Sequence, residues 1–136
     1  MDYLKYGEIQ YDGVMILDID IDDEHIPYSI EWINRYISYY NTEINGNILF
    51  TRSDSKRIKF IIPIKYPVVT CEHYEYKPYF RIENYVVAYH YNKFSKIKDT
   101  CLNVSKFLKK NNLNAAGKPY YYMEHEYMYI IYIPIA

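Results

Sequence analysis

Residues 86–135 read VVAYHYNKFSKIKDTCLNVSKFLKKNNLNAAGKPYYYMEHEYMYIIYIPI, and this stretch decides the fold. It parses into an apolar strand, an amphipathic helix, a turn marked by Gly and Pro, and two aromatic strands. In the helical part Phe94, Ile97, Cys101, Val104 and Leu108 recur at steps of three and four and share one face. Lys96, Lys98, Lys106, Lys109 and Lys110 point largely elsewhere. A helix divided in this way needs a sheet to lie on. Ser95 is placed to cap its start, and Asn111, Asn112, Asn114 and Gly117 supply residues that end it and tolerate positive φ. The unit is β-α-β-β.

Working outward, the first half repeats that order. A short strand over 8–10 precedes residues 14–21, in which Met15, Leu17, Ile19 and Ile21 alternate with Val14, Ile16, Asp18 and Asp20. From 27 to 40 a helix is predicted, with Ile26, Ile30, Ile33 and Ile37 on one face, an aromatic stripe of Trp32, Tyr36 and Tyr39 beside it, and Pro27 in the first turn. Asn45-Gly46-Asn47 turns the chain. Residues 48–51 and 56–64 then form a hairpin with Ser53-Asp54-Ser55 at its tip. The first half ends in Ile61-Ile62-Pro63-Ile64 and the second in Tyr132-Ile133-Pro134-Ile135, an offset of 134 − 63 = 71 residues. A proline there predicts that each final strand stops or becomes an edge. The expected fold is α+β, with two β-α-β-β repeats (about 8–65 and about 68–136) related by a pseudo-twofold, an antiparallel sheet and two amphipathic helices. The expected domain is a single one over 1–136, with the cleft between its halves as the natural ligand site.

Composition narrows the function. The 136 residues carry 16 Lys+Arg against 17 Asp+Glu, a net charge of -1, so there is no basic field to hold a phosphate backbone and direct nucleic-acid binding is disfavoured. Cys71 and Cys101 form no CxxC pair and read as free thiols. The start MDYLKYGEIQ has no signal-peptide pattern, and no apolar run reaches the roughly 20 residues of a membrane span. A cytoplasmic protein is expected, a monomer or homodimer, without a membrane partner. The acidic run Asp18, Asp20, Asp22, Asp23, Glu24 lacks the Gly and distal Glu of a calcium loop. His25, His73, His90 and His125 are scattered, so neither a metal nor another cofactor is expected. The 20 Tyr stand out, although an AT-rich coding sequence enriches Tyr, Ile, Asn and Lys without selection for binding.

The order of elements, the two IPI endings, the GKPYYY turn and the AYHYNKFSKI lead into the second helix resemble the GyrI-like effector-binding domain. That family supplies the ligand-sensing part of multidrug transcription regulators of the MerR and AraC types, and also stand-alone binding proteins. The resemblance spans roughly 14–135. It implies a pocket between two lobes that accepts bulky hydrophobic or cationic compounds. Tyr91 matches an aromatic that touches ligand, and Tyr127 a pocket tyrosine on the last strand. Tyr121 falls where the family usually places a buried glutamate, and Ile30 where a helix tyrosine contacts ligand. Without that glutamate, a cage of Tyr89, Tyr91, Tyr121 and Tyr127 would hold a cation by its ring faces or a flat aromatic by stacking. Met123 and Trp32 complete the expected ligand-binding set.

The function expected is a small-molecule sensor or sequestering module, with no catalytic residues. Any transcriptional role would need a DNA-binding partner or a longer parent chain. The alternatives are a GyrI-like hydrolase of reactive electrophiles, in which a tyrosine and a glutamate place a water, and a protein-binding inhibitor. A carboxylate from Glu31, Glu83 or Glu124 beside Tyr91 would favour the hydrolase.

Overall fold

The structure is a computed structural model, and it describes residues 7–136. The architecture is α+β. The described chain divides into two compact units, one over Gln10–Arg81 and the other over Ile82–Ala136 together with residues 7–9. The first strand, β1 (Gly7–Tyr11), is followed in the first unit by β2 (Val14–Asp20), α1 (Ile26–Tyr36), β3 (Leu49–Asp54), β4 (Arg57–Pro63) and β5 (Glu75–Lys77). In that unit the strands lie in the order β3-β4-β2-β5, all antiparallel. The second unit holds β6 (Phe80–His90), α2 (Ile97–Lys110), β7 (Tyr120–His125) and β8 (Met128–Pro134), in the order β1-β6-β8-β7.

Period-two and period-3.6 patterning explain these elements. In the first unit Ile26, Ile30 and Ile33 on the helix and Ile37 just after it are buried, as are Phe50, Ile58, Phe60 and Ile62 on the strands. Burying one such side chain contributes roughly 1.5–3 kcal/mol. In the second unit Phe94, Val104 and Leu108 are buried with Val86, Ala88, Tyr129, Ile131 and Ile133.

The repeat holds hydrogen bond for hydrogen bond. Asn45 N donates to the Pro63 carbonyl, and 71 residues later Ala116 N donates to that of Pro134, both at 2.8 Å. Ile64 N donates to Gly13 O at 3.0 Å and Ile135 N to Asn84 O at 3.1 Å, again with that offset. Asn41 and Asn112, at φ 58° and 54°, reverse the chain after each helix. Pro63 and Pro134 are the last residues of β4 and β8, where a missing N–H costs no ladder bond.

Three local expectations are corrected. The first helix ends at Tyr36, and Ile37–Tyr40 tighten into a 3-10 turn, as helix ends commonly do. The first hairpin turns at Ser55-Lys56, because β3 runs on to Asp54 through a bulge between Arg52 and Asp54. Ser95 does not cap α2: it lies inside a 3-10 turn, Phe94–Lys96, with no side-chain cap bond. Buried His90 anchors that corner instead, its Nε2 2.8 Å from Lys93 O and its Nδ1 2.7 Å from Thr100 Oγ1. A carbonyl can only accept, so Nε2 carries the hydrogen, and in the neutral ring Nδ1 accepts from the threonine hydroxyl.

Candidate functional site

Strand register sorts the aromatic residues of the second unit onto two faces. Residues directly opposite one another across an antiparallel pair share a face. Tyr129 pairs with His90, and Ile131 with both Ala88 and Tyr121. This face is covered by α2 and the turn before it: the Phe94 ring meets Tyr121 edge-on at 4.8 Å and Tyr129 at 5.4 Å. Cys101 Sγ lies 3.9 Å from the Tyr121 hydroxyl, and burial pushes its thiol pKa up.

The opposite face is built of tyrosine. Tyr132 pairs with Tyr120 on one side and Val87 on the other, Ile130 pairs with Tyr122 and Tyr89, and Pro134 pairs with Tyr85. Tyr85, Tyr89, Tyr120, Tyr122 and Tyr132 therefore lie on one side of three adjacent strands, over buried Val87. Tyr132 is at the centre. Its phenol pKa is pushed up to about 12, first by burial and then by the neighbouring Tyr85, Tyr89, Tyr122 and Glu124. Burial raises Tyr120 as well, and burial with the charge of Glu124 raises Tyr122. Glu124 thus brings a carboxylate to the margin of the tyrosine face.

The residues expected from the sequence fall in several places. Tyr89 lies on the tyrosine face, and Tyr91, one residue past β6 and 69% exposed, stacks on it with ring centroids 6.4 Å apart. Tyr121 is only 6% exposed and, with Met123, belongs to the helix-covered face, so the cage of Tyr89, Tyr91, Tyr121 and Tyr127 does not form as a set. Tyr127 is in the turn before β8 and not on the strand, because β7 runs on to His125 through a bulge between Met123 and His125, which places the turn at Glu126-Tyr127. In the first unit Ile30 is buried on the inner side of α1, whereas Trp32 is 45% exposed and packs on Tyr36 at 5.3 Å. None of these seven lines the cavity of about 440 Å³ beside the β1–β2 turn of the first unit. Tyr85, Tyr132 and Glu124 were not in the expected set. Alternation along the last two strands carried the signal, but only the register shows which parity faces away from the helix.

No family model matches this sequence, and no curated protein does. Solved structures do match. EcmrR, in its complex with DNA, is similar over 96% of this chain at a TM-score of 0.73 and 10% identity. This chain spans 57% of that one. The isolated EcmrR C-terminal domain matches over 97% of both chains at a TM-score of 0.70 and 8% identity. The chain shares the fold of the EcmrR C-terminal domain, in line with the resemblance to GyrI-like proteins. A hydrolase from Listeria innocua shares the fold at a TM-score of 0.60 and 14% identity, covering all of this chain and 94% of its own. At such identities the fold is what is shared. Within it, the tyrosine face belongs to the second β-α-β-β repeat, and among the described residues no helix is long and apolar enough to cross a membrane.

Proposed function

We propose that this chain is a small-molecule-binding module of the effector-binding kind, and that its ligand lies on the tyrosine face of the second repeat. One observation carries the reading. Moved back by the 71-residue offset, Tyr85, Tyr89, Tyr120, Tyr122 and Tyr132 become Val14, Asp18, Leu49, Thr51 and Ile61, which hold the equivalent register in β2, β3 and β4. The fold is built without tyrosine at any of the five positions in its first copy. Base composition does not account for five tyrosines gathered on one face of the second copy alone.

Five ring faces suit a flat hydrophobic ligand, by stacking and by cation–π attraction of about 0.5–2 kcal/mol for each well-placed ring. Glu124 adds a charge that favours cations. Tyr91, stacked on Tyr89, extends the surface at one end. Any coupling to transcription runs through a DNA-binding partner or segment.

Fluorescence anisotropy of rhodamine 6G, with tetraphenylphosphonium as competitor, tests the reading. Dye binding is expected, weakened roughly tenfold, or about 1.4 kcal/mol, by Tyr132→Ala or Tyr89→Ala. Glu124→Gln should weaken the cation and spare a neutral flat dye. No anisotropy change, or one unaffected by both tyrosine substitutions, overturns it. A second reading, hydrolysis of a reactive electrophile, is favoured by Glu124 acting on Tyr122 and Tyr132. Consumption of styrene oxide that disappears in Glu124→Gln would select it.

A further inference from the structure

We propose that the cavity beside the β1–β2 turn of the first unit is a separate site for a small zwitterion carrying an aromatic ring, of the free amino acid class. Its volume, about 440 Å³, falls within the roughly 300–1,000 Å³ of small-molecule clefts. Two aromatic rings, Tyr11 and Tyr76, stand in a largely polar wall. Tyr11 is fixed in advance, since its hydroxyl donates to Asn47 O at 2.8 Å and its ring stacks on Phe80 at 6.1 Å. A ring held from both ends loses little freedom when a ligand packs on it.

The same wall carries one anion and one cation, Asp12 and Lys65. Among the described residues neither has an ion-pair partner, and the Lys65 ammonium rests 5.5 Å over the Tyr66 ring. One carboxylate and one ammonium, unpaired with each other, match a ligand that offers one of each. A ligand bearing only one charge would satisfy half of the pair.

Gly13 supplies the independent observation. Among the described residues the glycine held at positive φ is Gly46, so Gly13 is not needed for backbone freedom. Nor does its hydrogen bond require glycine, because Asn84 accepts the equivalent bond from Ile135 in the second unit. What glycine provides is close approach within the wall: a Cβ here would stand 3.2 Å from the Tyr76 hydroxyl and 3.5 Å from Ile64 O, so its absence lets the Tyr76 side chain lie against the β1–β2 turn and shape the cavity. The second repeat has Asn84 at this position and Ala136 in place of Lys65.

Saturation-transfer NMR on the full chain with L-phenylalanine at millimolar concentration tests the proposal. Transfer to the ring protons is expected, with little from phenethylamine or 3-phenylpropionate. Gly13→Val should abolish it, and the exposed substitutions Lys65→Met and Asp12→Asn should each weaken it roughly five- to tenfold, about 1–1.4 kcal/mol. Tyr132→Ala, in the other unit, should leave it unchanged, which separates this site from the tyrosine face. No transfer from L-phenylalanine, equal transfer from the amine or the acid, or transfer unaffected by Lys65→Met and Asp12→Asn overturns the proposal. Those two surface variants decide the matter should Gly13→Val not fold.

Discussion

Tyr85 and Tyr132 meet edge to face, their ring centroids 5.0 Å apart and their planes at 86°, so two phenols from adjacent strands share one patch of sheet. Such a pair contributes roughly 0.5–1.5 kcal/mol beyond the area it buries. It also places the two hydroxyls in each other's field, and that field bears on behaviour at high pH.

Tyr132 gives up its proton at about 12 in the folded chain, against about 10 for an unperturbed tyrosine. Between those values the folded chain holds more protons than the unfolded one, so stability falls as pH rises. The contribution is complete below about pH 10 and is lost as pH passes through about 12. Tyr120 and Tyr122 are shifted in the same direction. An ultraviolet titration of phenolate absorbance should therefore show a late-titrating class of tyrosines that collapses with unfolding. In Tyr132→Phe one member of that class disappears and alkaline unfolding moves to higher pH.

The order of elements was legible because hydrophobic periods of 2 and 3.6 are local: Ile26, Ile30, Ile33 and Ile37 announce a helix without reference to anything distant. The two prolines 71 residues apart announced the repeat in the same way. The site was only partly legible. Tyr89 was found, but whether Tyr121 or its neighbours Tyr120 and Tyr122 face the helix depends on cross-strand register, and a slip of one residue exchanges the faces. Tyr127 was assigned to a strand because a bulge at Met123 and His125 leaves no mark in hydrophobicity.

His90 illustrates a residue whose role no spacing rule reveals. It is buried, and it joins the end of β6 to the start of α2 through Lys93 O and Thr100 Oγ1. Replacing it by phenylalanine keeps most of the volume but leaves the partly buried Lys93 carbonyl and Thr100 hydroxyl without the ring nitrogens. The expected loss in urea denaturation is about 2–3 kcal/mol. Thr100→Val, which removes one of the two bonds, should cost about 1 kcal/mol. Equal stabilities for His90→Phe and the parent chain would show that the corner is held by packing alone.

Asn41 and Asn112 occupy the same left-handed position after α1 and α2, at φ 58° and 54°. A residue with a Cβ and no local hydrogen-bonding group is penalised there by roughly 1–2 kcal/mol. Asn41→Ala and Asn112→Ala should therefore each lower the denaturation midpoint, while Asn41→Gly and Asn112→Gly should be neutral or slightly stabilising. Because the residues are in different units, the double alanine variant should lose close to the sum of the single losses.

The two thiols should react at different rates. Cys71 is exposed, whereas Cys101 is partly covered on α2 beside the Tyr121 hydroxyl, and its pKa is raised because burial outweighs the stabilising hydrogen bond from that hydroxyl. Only the thiolate attacks a disulfide reagent, so both the smaller thiolate fraction and the cover slow Cys101. Ellman's reagent at neutral pH should show one fast equivalent that vanishes in Cys71→Ser, followed by a slow one. Tyr121→Phe removes the hydrogen bond that lowers the Cys101 pKa while keeping the ring against Phe94, so the slow phase should become slower still. A faster slow phase in that variant would mean that the hydroxyl shields the sulfur more than it acidifies it, which reverses the assigned balance of the two effects.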